Sequence, residues 1–226
     1  DETLLKEKLE LSARLGSAVH NTQILSKHAD GHFVTNDEVV AMYLQAYEWG
    51  DACGCYPTFE VHINMWSEDF RRVNEVADAV EARGVPFRMT LDHSHVIFKI
   101  DNPEEQKVFD IASAVASGEL VLDPFRAGSV CQQWIDRGLV QHAHARAAVP
   151  NNPLNTAYSG KDGAPGRGVQ YLFFEPAEGQ YVVPWDGTRL EPWKEAVRQL
   201  FAYHAANESS PLGQVSTEFI PGPDYG

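Results

Sequence analysis

Carboxylate and imidazole side chains recur in four short segments, and these are the side chains that bind divalent metals and transfer protons. The segments are Glu60-Val-His62, Asp92-His93-Ser94-His95, His142-Ala-His144-Ala-Arg146 and Glu218. Hard carboxylate oxygens with one imidazole suit Mn²⁺, Mg²⁺ or Co²⁺, and a set without thiolates is unlike a structural zinc site. Residues two apart share one face of a strand, so each His-x-His or Glu-x-His pair can face one site. We therefore expect a metal centre built from these segments.

The predicted secondary-structure elements that position these side chains alternate between strand and helix along the chain. Alternation of this kind predicts a parallel sheet covered by helices, and no GxGxxG or GxxxxGK[ST] loop follows a strand, which disfavours nucleotide-binding folds. A (β/α) barrel is the remaining common solution, with its chemistry at the carboxyl ends of the strands. The predicted strands are 17–25, Thr58–Met65, Phe87–Leu91, Leu139–Ala145 and Gln214–Phe219, and the predicted helices are 2–15, 35–49, Ser67–Arg83, Pro103–Ser117, 129–137 and 191–206.

The segment 150–187 is too long for an ordinary connection of roughly 2 to 6 residues. It contains a predicted hairpin, Val169–Phe174 with Gln180–Val183. We expect this segment to lie over the strand ends and to shape a substrate pocket; the alternative is a surface insertion without a role in binding.

The amino-acid composition argues against several classes of binding partner. The 226 residues are 43% hydrophobic and carry a net charge of −14, which repels a nucleic-acid backbone. The apolar runs fall far short of the roughly 20 residues that cross a bilayer. Three cysteines do not form a disulfide framework, and Cys53-Gly54-Cys55 has the wrong spacing for a redox CxxC. We expect a soluble, cytoplasmic protein that binds neither nucleic acid nor membrane, and we assign His20, His28, His32 and His204 to loops or core.

The strand-end set resembles the xylose isomerase-like superfamily, particularly its sugar phosphate isomerase/epimerase and ketose 3-epimerase branch, over residues 15–222. The resemblance rests on the order Glu, Asp, His, Glu, on the Asp-x-x-His of Asp92 to His95, and on the closing Thr217-Glu218-Phe219. It implies one α/β domain, a (β/α)8 TIM barrel of which this chain holds strands four to eight, completed by other residues or by a homo-oligomer. It also implies one Mn²⁺, or Mg²⁺ or Co²⁺, bound by Glu60, Asp92, His144 and Glu218.

The resemblance also implies an enzyme of carbohydrate metabolism. It would be a sugar or sugar phosphate isomerase/epimerase acting through a metal-bound enediolate, with Glu60, Glu218 and His62 as catalytic groups. The side chains expected to contact the sugar are His95, Arg146, Trp66 and His142. Trp66 and Pro150 replace a Glu and an Arg of the epimerases, so the sugar stays open. The alternatives are a lyase or dehydratase, inosose dehydratase-like or C-glycoside deglycosidase-like, and a non-catalytic metal-binding barrel.

Overall fold

The computed structural model describes residues 2–152, 155–159, 165–167, 170–178 and 184–219. The chain forms two compact units, and each is assembled from three separate stretches of sequence. The first unit comprises Asp1–Leu91, Gly138–His142 and Pro211–Gln214, and the second comprises Asp92–Arg137, Ala143–Ser210 and Val215–Gly226.

The main sheet has five strands in the order β1-β2-β3-β4-β7, and β5 and β6 form a separate antiparallel pair. Their bounds are β1 Val19–Thr22, β2 Tyr56–Val61, β3 Met89–Asp92, β4 Val140–His144, β5 Asn155–Ser159, β6 Pro165–Gly166 and β7 Gln214–Ser216. Strand β2 pairs in parallel with both β1 and β3. The predicted α/β class and parallel pairing are therefore confirmed.

The expected (β/α)8 barrel is wrong. A barrel of that type closes through eight parallel strands, whereas the sheet of the described residues contains five, with β1 and β7 at the ends of its order. The fold is an α/β arrangement around a five-stranded sheet.

In the first unit, α2 packs against α1, α3 and β2. The helices are α1 Glu2–Arg14, α2 Asn36–Cys53 and α3 Arg71–Glu81, and a 3₁₀ turn covers Trp66–Glu68. Helix α2 begins with a capping box, in which the Thr35 side chain accepts from the Glu38 amide and Glu38 accepts from the Thr35 amide. Helix α3 does not begin at Ser67 as predicted: the Ser67 hydroxyl donates to the Glu60 carbonyl at 2.6 Å, and the helix starts at Arg71.

In the second unit, α7 packs against α8. The helices are α4 Ser94–Ile97, α5 Pro103–Lys107, α6 Ala112–Ser117, α7 Val130–Asp136 and α8 Glu191–Ala206, and a 3₁₀ turn covers Gly187–Leu190. The single helix predicted over Pro103–Ser117 is two helices, because Asp110 between them has a left-handed φ of 52°. Helix α4 was not predicted from the sequence.

The predicted hairpin is wrong in its described half. Residues 170–174 form no strand, and Val169 and Gln180–Val183 lie outside the described residues. Tyr171 is buried instead, and its amide donates to the Ala147 carbonyl at 2.8 Å. Among the described helices, none combines the length and the apolar composition needed to cross a membrane.

Candidate functional site

Three chain segments deliver the polar side chains of the second unit. Strand β3 ends at Asp92, β4 ends at His144, and Glu218 follows β7 by two residues. The Ala145 amide donates to the Ser216 carbonyl at 2.8 Å, which keeps the chain after β4 beside the last strand. Asp92 and His144 are buried, whereas the Glu218 side chain keeps 32% of its surface exposed. The cluster can therefore be reached from the Glu218 side.

Asp92, His144 and Glu218 each offer one ligand atom, and these atoms lie within 4.8 Å of one another. The His144 Nδ1 atom lies 2.9 Å from Glu218 Oε2 and 3.9 Å from Asp92 Oδ2. Two carboxylate oxygens thus converge on one imidazole nitrogen. This is the donor chemistry that Mn²⁺, Mg²⁺ and Co²⁺ accept.

Asp92 is hydrogen-bonded through one oxygen and faces basic side chains with the other. Its Oδ1 accepts from the amide and the hydroxyl of Ser94, at 2.9 and 2.6 Å. Its Oδ2 lies 3.3 Å from His95 Nε2 and 3.5 Å from Arg146 Nε. Burial alone would raise the pKa of Asp92, but His95, Arg146 and the Ser94 hydrogen bond outweigh burial and lower that pKa far below its usual range. Asp92 is therefore an anion at neutral pH.

Arg146 supplies a buried positive charge to this cluster. Its guanidinium forms an ion pair with Glu218 and lies near Asp92. The neighbouring His93 is also buried, and burial lowers its pKa to about 4, so this imidazole is neutral at neutral pH. The cluster therefore combines two carboxylates, one guanidinium and the imidazole of His144, with further imidazoles beside it.

Glu60 lies in the first unit, near the end of β2, and only 1% of its surface is exposed. Its Oε2 accepts from Asn21 Nδ2 at 2.9 Å and from Gln23 Nε2 at 2.7 Å. These two amides hold the carboxylate in one orientation. The sequence prediction missed both, although polar residues two apart at the end of β1 share a face and were the available signal.

The other site residues expected from the sequence in the first unit are His62, His142 and Trp66, and each lies against a specific group. His62 Nδ1 lies 2.6 Å from the Ile63 carbonyl, which assigns the ring proton to Nδ1 and makes Nε2 the basic nitrogen. His142 Nδ1 lies 3.3 Å from the Thr90 hydroxyl. Trp66 is buried, with the Arg72 guanidinium 5.9 Å from the ring centroid.

The structure thus brings Asp92, His144 and Glu218 together with two further predicted residues, His95 and Arg146. It adds Ser94, which the sequence prediction passed over although a serine two residues after an aspartate is a common local partner. The roles of Glu60, His62, Trp66 and His142 stay predictions. Comparisons with protein-family models, with curated proteins and with solved structures give no match.

Proposed function

We propose that this chain binds one divalent cation through Asp92, His144 and Glu218 and is an isomerase or epimerase that moves a proton on a sugar or sugar phosphate. The observation that carries the proposal is the convergence of their ligand atoms within 4.8 Å. We assign Mn²⁺ from the sequence resemblance, with Mg²⁺ and Co²⁺ as alternatives, and two carboxylates with one imidazole are ligand types that these ions accept.

The donor set fits a cation on charge as well as on distance. Asp92 stays ionised, and its Oδ2 is buried facing nitrogen atoms of His95, Arg146 and His144 at 3.3 to 3.9 Å. Buried carboxylates need compensating positive charge; Arg146 supplies one such charge to a cluster with two carboxylates, and a bound divalent cation would supply the rest. When bound, a divalent ion would polarise a substrate carbonyl and acidify the adjacent C–H group.

Glu218 is the acid–base group that the geometry favours. It is the one partly exposed carboxylate of the three ligands, so a substrate can reach it. Arg146 pairs with this carboxylate and fixes its position, from which it would accept a proton from substrate carbon. His95, beside Asp92, is a candidate donor to a substrate oxygen. The fourth ligand and the second base are assigned to Glu60 by the sequence resemblance alone.

Metal content and turnover of matched variants test this proposal. Asp92→Asn keeps the shape of the side chain but removes its charge, and we expect it to lose Mn²⁺ in elemental analysis. Glu218→Gln keeps an oxygen ligand and should retain part of the metal, but lose on the order of a hundredfold in kcat on a keto sugar. Asp136→Ala, at an exposed position in α7, is the control. Unchanged Mn²⁺ affinity in Asp92→Asn would contradict the metal assignment.

A second candidate is a non-catalytic binding protein in which Arg146 replaces the cation. The ion pair of Arg146 with Glu218 and its proximity to Asp92 favour this alternative. The two candidates differ in their response to added metal, because a ligand that binds only the folded state raises its melting temperature. Mn²⁺ should raise Tm of the wild type but not of Asp92→Asn; equal Tm values with and without Mn²⁺ would support the arginine-neutralised cluster.

A further inference from the structure

The loop after β1 forms a small hairpin with three polar side chains at its tip. Lys27 and Phe33 form an antiparallel bridge, and His28 and Gly31 close the turn through main-chain hydrogen bonds of 2.9 Å. Gly31 has a φ of 96°, which a residue with a side chain rarely adopts. The turn therefore fixes where His28, Asp30 and His32 lie relative to one another.

The ligand atoms of His28, Asp30 and His32 all lie within 4.8 Å of one another. Asp30 Oδ1 is 3.3 Å from His28 Nδ1 and 2.5 Å from His32 Nδ1. We propose that these three side chains form a transition-metal site of the first unit, with Zn²⁺ as its representative ion. Two imidazoles and one carboxylate favour Zn²⁺, Ni²⁺ or Cu²⁺ over the harder Mg²⁺ and Mn²⁺.

Glu38 gives this site an outer carboxylate. Its Oε1 lies 2.9 Å from His32 Nε2, while its Oε2 accepts from the amide and the hydroxyl of Thr35. Metal-binding histidines commonly donate their second ring N–H to a carboxylate, which directs the other nitrogen at the metal. His32 has this arrangement, with Nε2 at Glu38 and Nδ1 at Asp30.

His32 lies between two carboxylates, those of Asp30 and Glu38. A neutral imidazole has one N–H, so one of its two nitrogens would present a lone pair to a carboxylate oxygen. That contact is repulsive unless a cation lies between the two atoms. At 2.5 Å, the separation of His32 Nδ1 and Asp30 Oδ1 is that of a hydrogen bond, so the cation between these two atoms is a proton in the metal-free protein. A metal ion would displace that proton and lie beside the two atoms, and because all three side chains are exposed it reaches them without any opening of the fold.

Zn²⁺ titration of the full chain by isothermal calorimetry separates the two cations. The experiment uses the Asp92→Asn background so that the second-unit cluster does not contribute to binding. It is run at about pH 7.5, above the unperturbed histidine pKa of about 6.5. We expect one Zn²⁺ per chain, and an affinity loss of at least about tenfold in His28→Gln and in His32→Gln. His204→Gln, at an exposed position in α8, should bind as its parent does.

Glu38→Gln refines the test, because glutamine also completes a capping box and so preserves the start of α2. It should weaken Zn²⁺ binding by about tenfold while the metal-free protein keeps a cooperative thermal transition. Cu²⁺ in place of Zn²⁺ should give an electron paramagnetic resonance spectrum with nitrogen hyperfine coupling that His28→Gln and His32→Gln both alter. Absence of Zn²⁺ binding at millimolar concentration, or binding that survives both substitutions, would overturn the proposal and leave a proton between His32 and Asp30.

Discussion

At the scale of single residues, Asn21 and Gln23 matter most for the geometry of Glu60. They donate to the same oxygen, Oε2, at 2.9 and 2.7 Å. A hydrogen bond to a charged group contributes roughly 1.5–3 kcal/mol, so Asn21→Ala should lower the free energy of unfolding by about that amount. Urea unfolding measures the change.

A double-mutant cycle identifies Glu60 as the partner. In the Glu60→Gln background the charge is gone, and Asn21→Ala should then cost clearly less than in the wild type. Equal costs in the two backgrounds would show that Asn21 stabilises the chain through some other contact.

His20 is a second residue with a testable response, here to pH. Burial first, and then the nearby charge of Lys8, lower its pKa below the ordinary value of 6.5. The unfolded chain therefore takes up a proton at a higher pH than the folded chain does. The free energy of unfolding should fall as pH drops below about 6.5, and His20 should make no contribution well above that pH.

Nuclear magnetic resonance titration of the His20 ring should give an inflection below 6.5. Lys8→Met should move it upward, towards the ordinary value, and His20→Asn should reduce the loss of stability between neutral and acidic pH. An inflection at or above 6.5 in the wild type would refute the assignment.

At the scale of elements, the contact between the end of α2 and the start of β2 requires a glycine. A Cβ at Gly50 would lie 2.7 Å from the Cys55 carbonyl oxygen and 3.1 Å from Tyr56 Cα. Both atoms belong to the main chain and cannot rotate away. Gly50→Ala should therefore destabilise the protein by about 1–3 kcal/mol, although alanine favours helices by about 1 kcal/mol over glycine.

Thermal unfolding of Gly50→Ala beside Glu48→Ala provides the comparison, because Glu48 is exposed on the same helix. The Glu48 variant should stay within about 0.5 kcal/mol of the wild type. A stabilised Gly50→Ala would mean that α2 and β2 are farther apart than described.

The success of sequence-based prediction also varies by element. The bounds of α8 were predicted closely, because its amphipathic pattern runs without interruption from Glu191 to Ala206. Helix α3 was predicted to begin at Ser67, but that hydroxyl contacts Glu60 in a different element, and such tertiary partners leave no local pattern. The split at Asp110 was missed because a left-handed aspartate looks, in sequence, like any helical aspartate.

The same reasoning applies to the site. Asp92 and His144 were predicted because each ends a strand, and the strand pattern is local. The contribution of Ser94 was not predicted, since serines have many local roles. The position of Glu60 at a strand end does not by itself decide whether Glu60 is a fourth metal ligand. The metal affinity of Glu60→Gln measures this directly.

At the scale of the whole molecule, the net charge of −14 is the dominant property. Like charges spread over a folded chain repel one another, and salt screens this repulsion over about 8–10 Å at physiological strength. Raising NaCl from about 20 mM to about 300 mM should therefore raise Tm, by roughly 2–4 °C if screening contributes about 1 kcal/mol. A fall in Tm would indicate that the attractive pairs, such as Arg146 with Glu218, outweigh the repulsion.

The division of the first unit into three stretches of sequence has a consequence for biosynthesis. Asp1–Leu91 leaves the ribosome long before Gly138–His142, and Pro211–Gln214 comes later still. Until Leu139 has been made, β3 has an unpaired edge, because the Met89 amide donates to the Leu139 carbonyl in the complete fold. Unpaired edges invite contact with other chains, and late closure between distant residues is slow. The β3 edge is thus open to contact with other chains while residues 92–139 are synthesised, and the first unit is complete only once Pro211–Gln214 has been made.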